Sequence, residues 1–178
     1  DGIFYYAMEY LEGITLDELV ETHGPQPPAR VVHLLLQICG ALEEAHEAGL
    51  VHRDIKPANV MLTERGGQKD VVKVLDFGLV KEQETASSLS TSNGTAVLGT
   101  PHFMAPEAII DPEKVDARTD LYALGVTAYF LLTGEHVFEG ANLVEICSAH
   151  LHQTPVPPSK KRPDIPPALE QVIMSCLE

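Results

Sequence analysis

Residues 51–62 read VHRDIKPANVML. His52, Arg53, Asp54 and Lys56 crowd into one short stretch between apolar segments, and Asn59 follows. A solvated loop can look like this, and so can a site that handles phosphate. Further on, two short apolar runs at 59–63 and 71–75 flank ERGGQKD, with Gly66-Gly67 at its centre. This predicts a hairpin with a longer loop. Asn59 and Asp76 are equidistant from the middle of that loop. If the strands pair symmetrically, both oxygen-bearing side chains converge at the open end of the hairpin, as a hard cation such as Mg²⁺ requires.

Other elements must hold these groups. Residues 3–11, IFYYAMEYL, are rich in aromatic and β-favouring types and predict a strand, broken by EGIT. Residues 15–22 predict one or two helical turns. Pro27 or Pro28 suits the first turn of a helix. Val31, Leu35, Ile38, Leu42 and Ala45 then recur at three and four, predicting an amphipathic helix to about His46, closed by Gly49. Residues 80–100 are Ser/Thr-rich and read as a loop. Residues 116–134 are apolar on all sides after Asp120, the pattern of a helix buried all round. Thr119 or Asp120 is expected to cap its start and Gly134 to end it. Helices are also predicted over 141–152 and from Pro167 onward, the last still running at Glu178. Between these two, TPVPPSKKRPDIPP carries six prolines and the basic cluster. Its Pro155-x-x-Pro158 spacing admits an SH3-type ligand, but an ordered crossing between helices is the preferred reading.

The chain has 178 residues, which is one domain or part of a larger one, and at 44% hydrophobic it can build a core. Its net charge of −14 makes nucleic acid and anionic membranes unsuitable general partners. The longest uncharged run, residues 121–134, is shorter than the ~20 apolar residues that a membrane span takes. Cys39, Cys147 and Cys176 are odd in number and far apart, which fits a reducing compartment rather than a disulfide framework or a zinc ribbon. His150 and His152 come nearest to metal-ligand spacing and read as packed or exposed side chains near a helix end. No signal peptide opens the chain. A cytoplasmic location is expected, and membrane anchoring through another part of a longer protein stays open. So does a dimer of that longer protein.

HRDIKPAN (52–59), DFG (76–78) and APE (105–107), in that order, resemble the signature set of the protein kinases. The resemblance runs the length of the chain and is most like the bacterial members of the eukaryotic-type serine/threonine kinases. It implies an α+β kinase fold, a mostly helical large lobe with a small β-hairpin. Residues 1–13 would be the last small-lobe strand and the hinge, and residues 14–178 a large lobe truncated at its C-terminal end. The implied reaction moves the γ-phosphoryl group of ATP to a Ser or Thr of a protein substrate. Such transfer needs positioning and charge neutralisation more than covalent help. Asp54 would accept the hydroxyl proton, Lys56 would reach the transferring phosphate, and Asn59 and Asp76 would hold Mg²⁺. Lys56 two residues after the aspartate resembles the Ser/Thr class, as does GTPHFMAPE (99–107). There Thr100 would bond to Asp54 and Lys56, and Phe103 stands where tyrosine is more usual.

The same resemblance makes Met8 the gatekeeper, assigns the Glu9 carbonyl and Leu11 amide to adenine, and puts Met61 on the floor of the nucleotide pocket. Arg53 before the aspartate resembles the mark of a kinase switched by loop phosphorylation, with Thr85, Ser87, Ser88, Ser90, Thr91, Ser92 and Thr95 as candidate acceptors. His52, Gly78, Glu107 and Asp120 would be supports: Asp120 bonding the His52–Arg53 turn, His52 packing beneath, Gly78 permitting the backbone swing after Phe77, and Glu107 pairing with an arginine beyond Glu178. The sequence contains neither the glycine-rich loop nor the strand lysine of the family, both of which precede the hinge. The 178-residue chain alone is therefore expected to transfer phosphate poorly. The alternative is a pseudokinase, a binding or scaffold module that keeps the fold without the activity.

Overall fold

The structure, a computed structural model, describes residues 9–76 and 101–178. The segment at 9–12 has no regular structure and leads into a short strand β1 (Gly13–Thr15). The remainder of the expected opening strand lies outside the described residues. Helix α1 (Leu16–His23) starts in a capping box. Thr15 Oγ1 accepts from the Glu18 amide at 3.1 Å, and the Glu18 carboxylate accepts from the Thr15 amide at 2.8 Å. Two donors that the helix start leaves unpaired are thereby satisfied.

Helix α2 (Pro28–Glu47) buries Val31, Leu34, Ile38, Leu42 and Ala45. The stripe is the expected one with Leu34 added as a fully buried member, while Leu35 packs half-buried against the core. Strands β2 (Val60–Arg65) and β3 (Gln68–Val74) form the hairpin, and β1 joins it to give an antiparallel sheet in the order β1-β2-β3. The hairpin is tighter than expected. Only Gly66 and Gly67 turn the chain, both with positive φ, which glycine adopts without steric cost. An irregularity between Thr63 and Arg65 shifts the register by one residue, so that Val60 faces Val74. Asn59 therefore lies opposite Leu75, whose amide donates to its carbonyl at 2.8 Å, and Asp76 is the next residue along. Gly13 presses so closely on β2 that a Cβ there would stand 2.0 Å from the Leu62 carbonyl oxygen.

Beyond the sheet follow α3 (Pro106–Ile110), α4 (Ala117–Thr133), α5 (Leu143–His152) and α6 (Pro167–Cys176). Helix α4 is buried on every face, as its composition requires, and the helices packed against it are α2 and α6. Its cap differs from the expectation. Asp116 accepts from the Arg118 amide at 2.8 Å, so Thr119 and Asp120 fall inside the first turn with their side chains free for other work. Gly134 closes the helix in the left-handed region. Asn142 caps α5, and α6 ends at Cys176 rather than running through Glu178.

The proline-rich segment is the ordered crossing. Pro158 is buried in a single 3₁₀ turn. Arg162 donates to the carbonyls of Gln26 at 2.7 Å and Leu132 at 3.1 Å, and Lys161 pairs with Glu135. A buried Pro158 cannot dock into a partner groove, so the SH3-ligand reading is set aside. Among the described residues, no helix is long and apolar enough to cross a membrane.

Candidate active site

Asp120 is fully buried, a position that a charge tolerates only with partners. It has three. The backbone amides of His52 and Arg53 donate to its two oxygens at 2.8 Å each, and His46 Nε2 lies 2.7 Å from Oδ2. The turn at His52–Arg53 is thus fixed from below by α4 and from the side by the last turn of α2. Arg53 sits at φ +67°, a left-handed conformation that costs a non-glycine residue about 1 kcal/mol. The grip of Asp120 on its amide holds it there, with the guanidinium exposed.

His52 is also fully buried. The Asp54 amide donates to its Nδ1 at 3.2 Å, so Nε2 carries the ring proton and donates to the Leu75 carbonyl at 2.7 Å. Leu75 is therefore pinned on both sides, its amide by Asn59 and its carbonyl by His52. Asp76 follows it at φ +54° with its side chain exposed.

Three of the expected groups meet directly. Asp54 Oδ2 accepts from Lys56 Nζ at 3.0 Å and from Asn59 Nδ2 at 3.0 Å, and Asn59 Nδ2 also bonds the Asp54 carbonyl at 2.8 Å. The 3₁₀ turn Pro57–Asn59, with Pro57 buried, folds the asparagine back over the aspartate. Both the Asp54 and Lys56 side chains are about four-fifths covered, at 20% and 19% exposure. With Nδ2 committed to Asp54, Asn59 has only its carbonyl oxygen to offer a cation. Asp76 adds carboxylate oxygens. Among the described residues, no cluster of three or more His, Cys, Asp or Glu is set to hold a metal. A donor set of two oxygen-bearing residues fits Mg²⁺, which is held by one or two protein groups together with substrate phosphates.

The remaining candidates are dispersed. Met61 is half-buried on β2 between Thr15 and Lys73. Leu11 is half-buried and Glu9 exposed, its carboxylate 2.5 Å from the Arg65 guanidinium. Glu107 accepts from the Thr119 hydroxyl at 2.6 Å. Met8, Gly78, Thr85, Ser87, Ser88, Ser90, Thr91, Ser92, Thr95 and Thr100 lie outside the described residues. A groove of about 880 Å³, lined by Glu107, Leu121, Tyr122, Val172 and Cys176, contains none of the Asp54 group. Sequence reasoning missed His46 and the Thr119 contact with Glu107. It also missed Gln37 of α2, which bonds the backbone of β3. Their partners are distant in sequence, and no motif marks them.

Comparison with known proteins gives the family and the fold. The family described as Protein kinase domain matches residues 2–178. The serine/threonine-protein kinase PknB of Mycolicibacterium smegmatis is 39% identical over 97% of this chain and 27% of its own length. The serine/threonine-protein kinase pkn3 of Myxococcus xanthus is 41% identical over 99% of this chain and 33% of its own length. The chain thus spans about a quarter to a third of these curated relatives. Among solved structures, Rad53 in complex with AMP-PNP superposes with a TM-score of 0.75 at 26% identity, over 96% of this chain and 41% of that one. The PknI kinase domain of Mycobacterium tuberculosis gives 0.67 at 28% identity, over 96% and 56%.

Proposed function

Because the chain belongs to the protein kinase domain family, we propose that the protein carrying it transfers the γ-phosphoryl group of ATP to Ser or Thr hydroxyls of protein substrates. The observation that carries this reading is the convergence of Lys56 and Asn59 on one oxygen of Asp54. A merely solvated loop does not spend a lysine, an asparagine and a buried aspartate below to hold one carboxylate still.

In this reading Asp54 orients the acceptor hydroxyl and takes its proton as the oxygen attacks phosphorus. Lys56, already beside Asp54, neutralises charge on the transferring phosphoryl group. Asn59 Oδ1 and the Asp76 carboxylate would hold Mg²⁺, which would supply positive charge against the nucleotide phosphates. Glu9, Leu11 and Met61 flank the adenine side. The exposed guanidinium of Arg53 is available to a phosphorylated side chain. Three free cysteines suit work in the reducing cytoplasm.

Asp54→Asn in the full-length protein is expected to lower kcat at least a hundredfold, with ATP binding kept. Asp76→Ala is expected to abolish the Mg²⁺-dependent part of the thermal stabilisation that ATP provides. Phosphotransfer rates and thermal shifts with and without Mg²⁺ measure both. A wild-type protein that binds ATP without metal dependence and phosphorylates nothing would instead be a pseudokinase.

A further inference from the structure

Among the described residues, β3 has a strand neighbour on one side only. Its outer edge therefore presents backbone groups that need other partners. Gln37 of α2 supplies them. Its Nε2 donates to the Asp70 carbonyl at 2.8 Å, and its Oε1 accepts from the Val72 amide at 3.1 Å. The two backbone groups belong to residues two apart, and they are the pair that one residue of a parallel neighbouring strand would take. Arg30, two turns earlier on the same face of α2, grips the Asp70 carboxylate with Nε at 2.8 Å and Nη2 at 2.6 Å. That hydrogen bonding holds the Asp70 carboxyl below the usual carboxylate range, and Asp70 itself sits at φ +58°.

The turn does not by itself set the hairpin's register. The pairing changes by one residue between Thr63 and Arg65, and a one-residue slip sends every side chain to the opposite face. Asp76 lies two residues past the end of β3 and directly after Leu75, whose amide bonds the Asn59 carbonyl, so a slip would carry it out of its place next to that pair. The Gln37 carboxamide is satisfied only in the register that points the Asp70 carbonyl and the Val72 amide at α2. We infer that Gln37 is a positioning residue for Asp76: it reads the outer edge of β3 and fixes the strand from which that carboxylate projects. This inference rests on the proposed role of Asp76 as a metal ligand.

The test uses the full-length protein with Gln37→Leu, which removes both bonds to β3 at similar volume together with the 3.1 Å contact of Nε2 with His33 Nε2, and Gln37→Glu, which keeps the acceptor for Val72 and loses the donor to Asp70. Outer partners of metal ligands typically contribute 10–100-fold in metal affinity, and Gln37 acts through several bonds. The Mg²⁺ concentration for half-maximal rate is therefore expected to rise about three- to tenfold in Gln37→Leu. The shift in Gln37→Glu should be smaller, and KM for the protein substrate should be unchanged in both. Independently of activity, hydrogen exchange at the Val72 amide, measured without metal or nucleotide, is expected to quicken in Gln37→Leu. If Asp76→Ala removes the Mg²⁺ dependence while Gln37→Leu keeps the wild-type value, Gln37 only supports the fold and the inference is overturned. If Asp76→Ala leaves the Mg²⁺ dependence intact, the metal reading itself is wrong and the inference goes with it.

Discussion

His150 shows what a single buried side chain commits the molecule to. Its Nδ1 meets the Tyr122 hydroxyl at 2.7 Å, Phe138 packs edge-on against its ring, and burial pushes its pKa down to about 4. His136 is lowered for the same reason, stacked between His102 and Phe130. A histidine in the unfolded chain titrates near pKa ~6.5. The folded state therefore prefers the neutral ring, and the stability this contributes is complete above that value. It is lost as the pH falls from about 6.5 towards about 4. His150→Gln, which keeps an acceptor for Tyr122 without titrating, is expected to flatten the fall in urea midpoint between pH 7 and 5. Parallel curves for the two proteins would remove His150 as the cause. Nothing in the sequence around residue 150 announces this, because Tyr122 and Phe138 belong to other elements. Asp54, Lys56 and Asn59 were legible for the opposite reason: the groups that meet are adjacent in the chain. His46 and Asp120 stand 74 residues apart, and only the fold joins them.

At the scale of elements, α4 and α6 meet where Gly125 faces Cys176. A Cβ at Gly125 would lie 2.6 Å from the Cys176 Cβ, a separation that atoms do not tolerate. Gly125→Ala must push α6 off α4, and overpacking of this kind costs about 1–3 kcal/mol. Urea unfolding measures it, and a loss below half a kilocalorie would mean that α6 moves freely. Helix positions were readable from the apolar pattern because burial in α2 repeats with the helical period and α4 is apolar and buried on all sides. The cap of α4 and the register of the hairpin were not. Asp116, Thr119 and Asp120 are all competent caps, and which one serves depends on what the other two bond in the fold. The expected symmetric pairing of Asn59 with Asp76 failed by one residue because the turn closes on Gly66 and Gly67, one residue nearer the first strand than a loop centred between Asn59 and Asp76, and the irregularity between Thr63 and Arg65 makes up only part of the difference.

Over this chain, 26 acidic residues stand against 12 lysines and arginines. A surface of that sign attracts basic proteins and repels acidic ones, and salt screens it over a Debye length of about 10 Å at 0.1 M. KM for a lysine- and arginine-rich protein substrate is therefore expected to rise several-fold between 0.05 and 0.5 M salt, as a rough estimate, while kcat holds. A KM indifferent to salt would place substrate recognition in short-range contacts instead. The fold class was visible in the order of three short motifs. The third strand of the sheet was not, because Gly13–Thr15 is too short to show a period.

That short strand separates two kinds of necessity. At residue 13 the backbones of β1 and β2 leave no room for any side chain, yet Gly13 is assigned no part in the chemistry. Asp54 and Asp76 could each change without opening the core. Variation filtered for folding alone would keep the glycine and let both carboxylates drift. Such drift would leave a well-formed scaffold whose loss of chemistry an unfolding measurement without ligand would not detect.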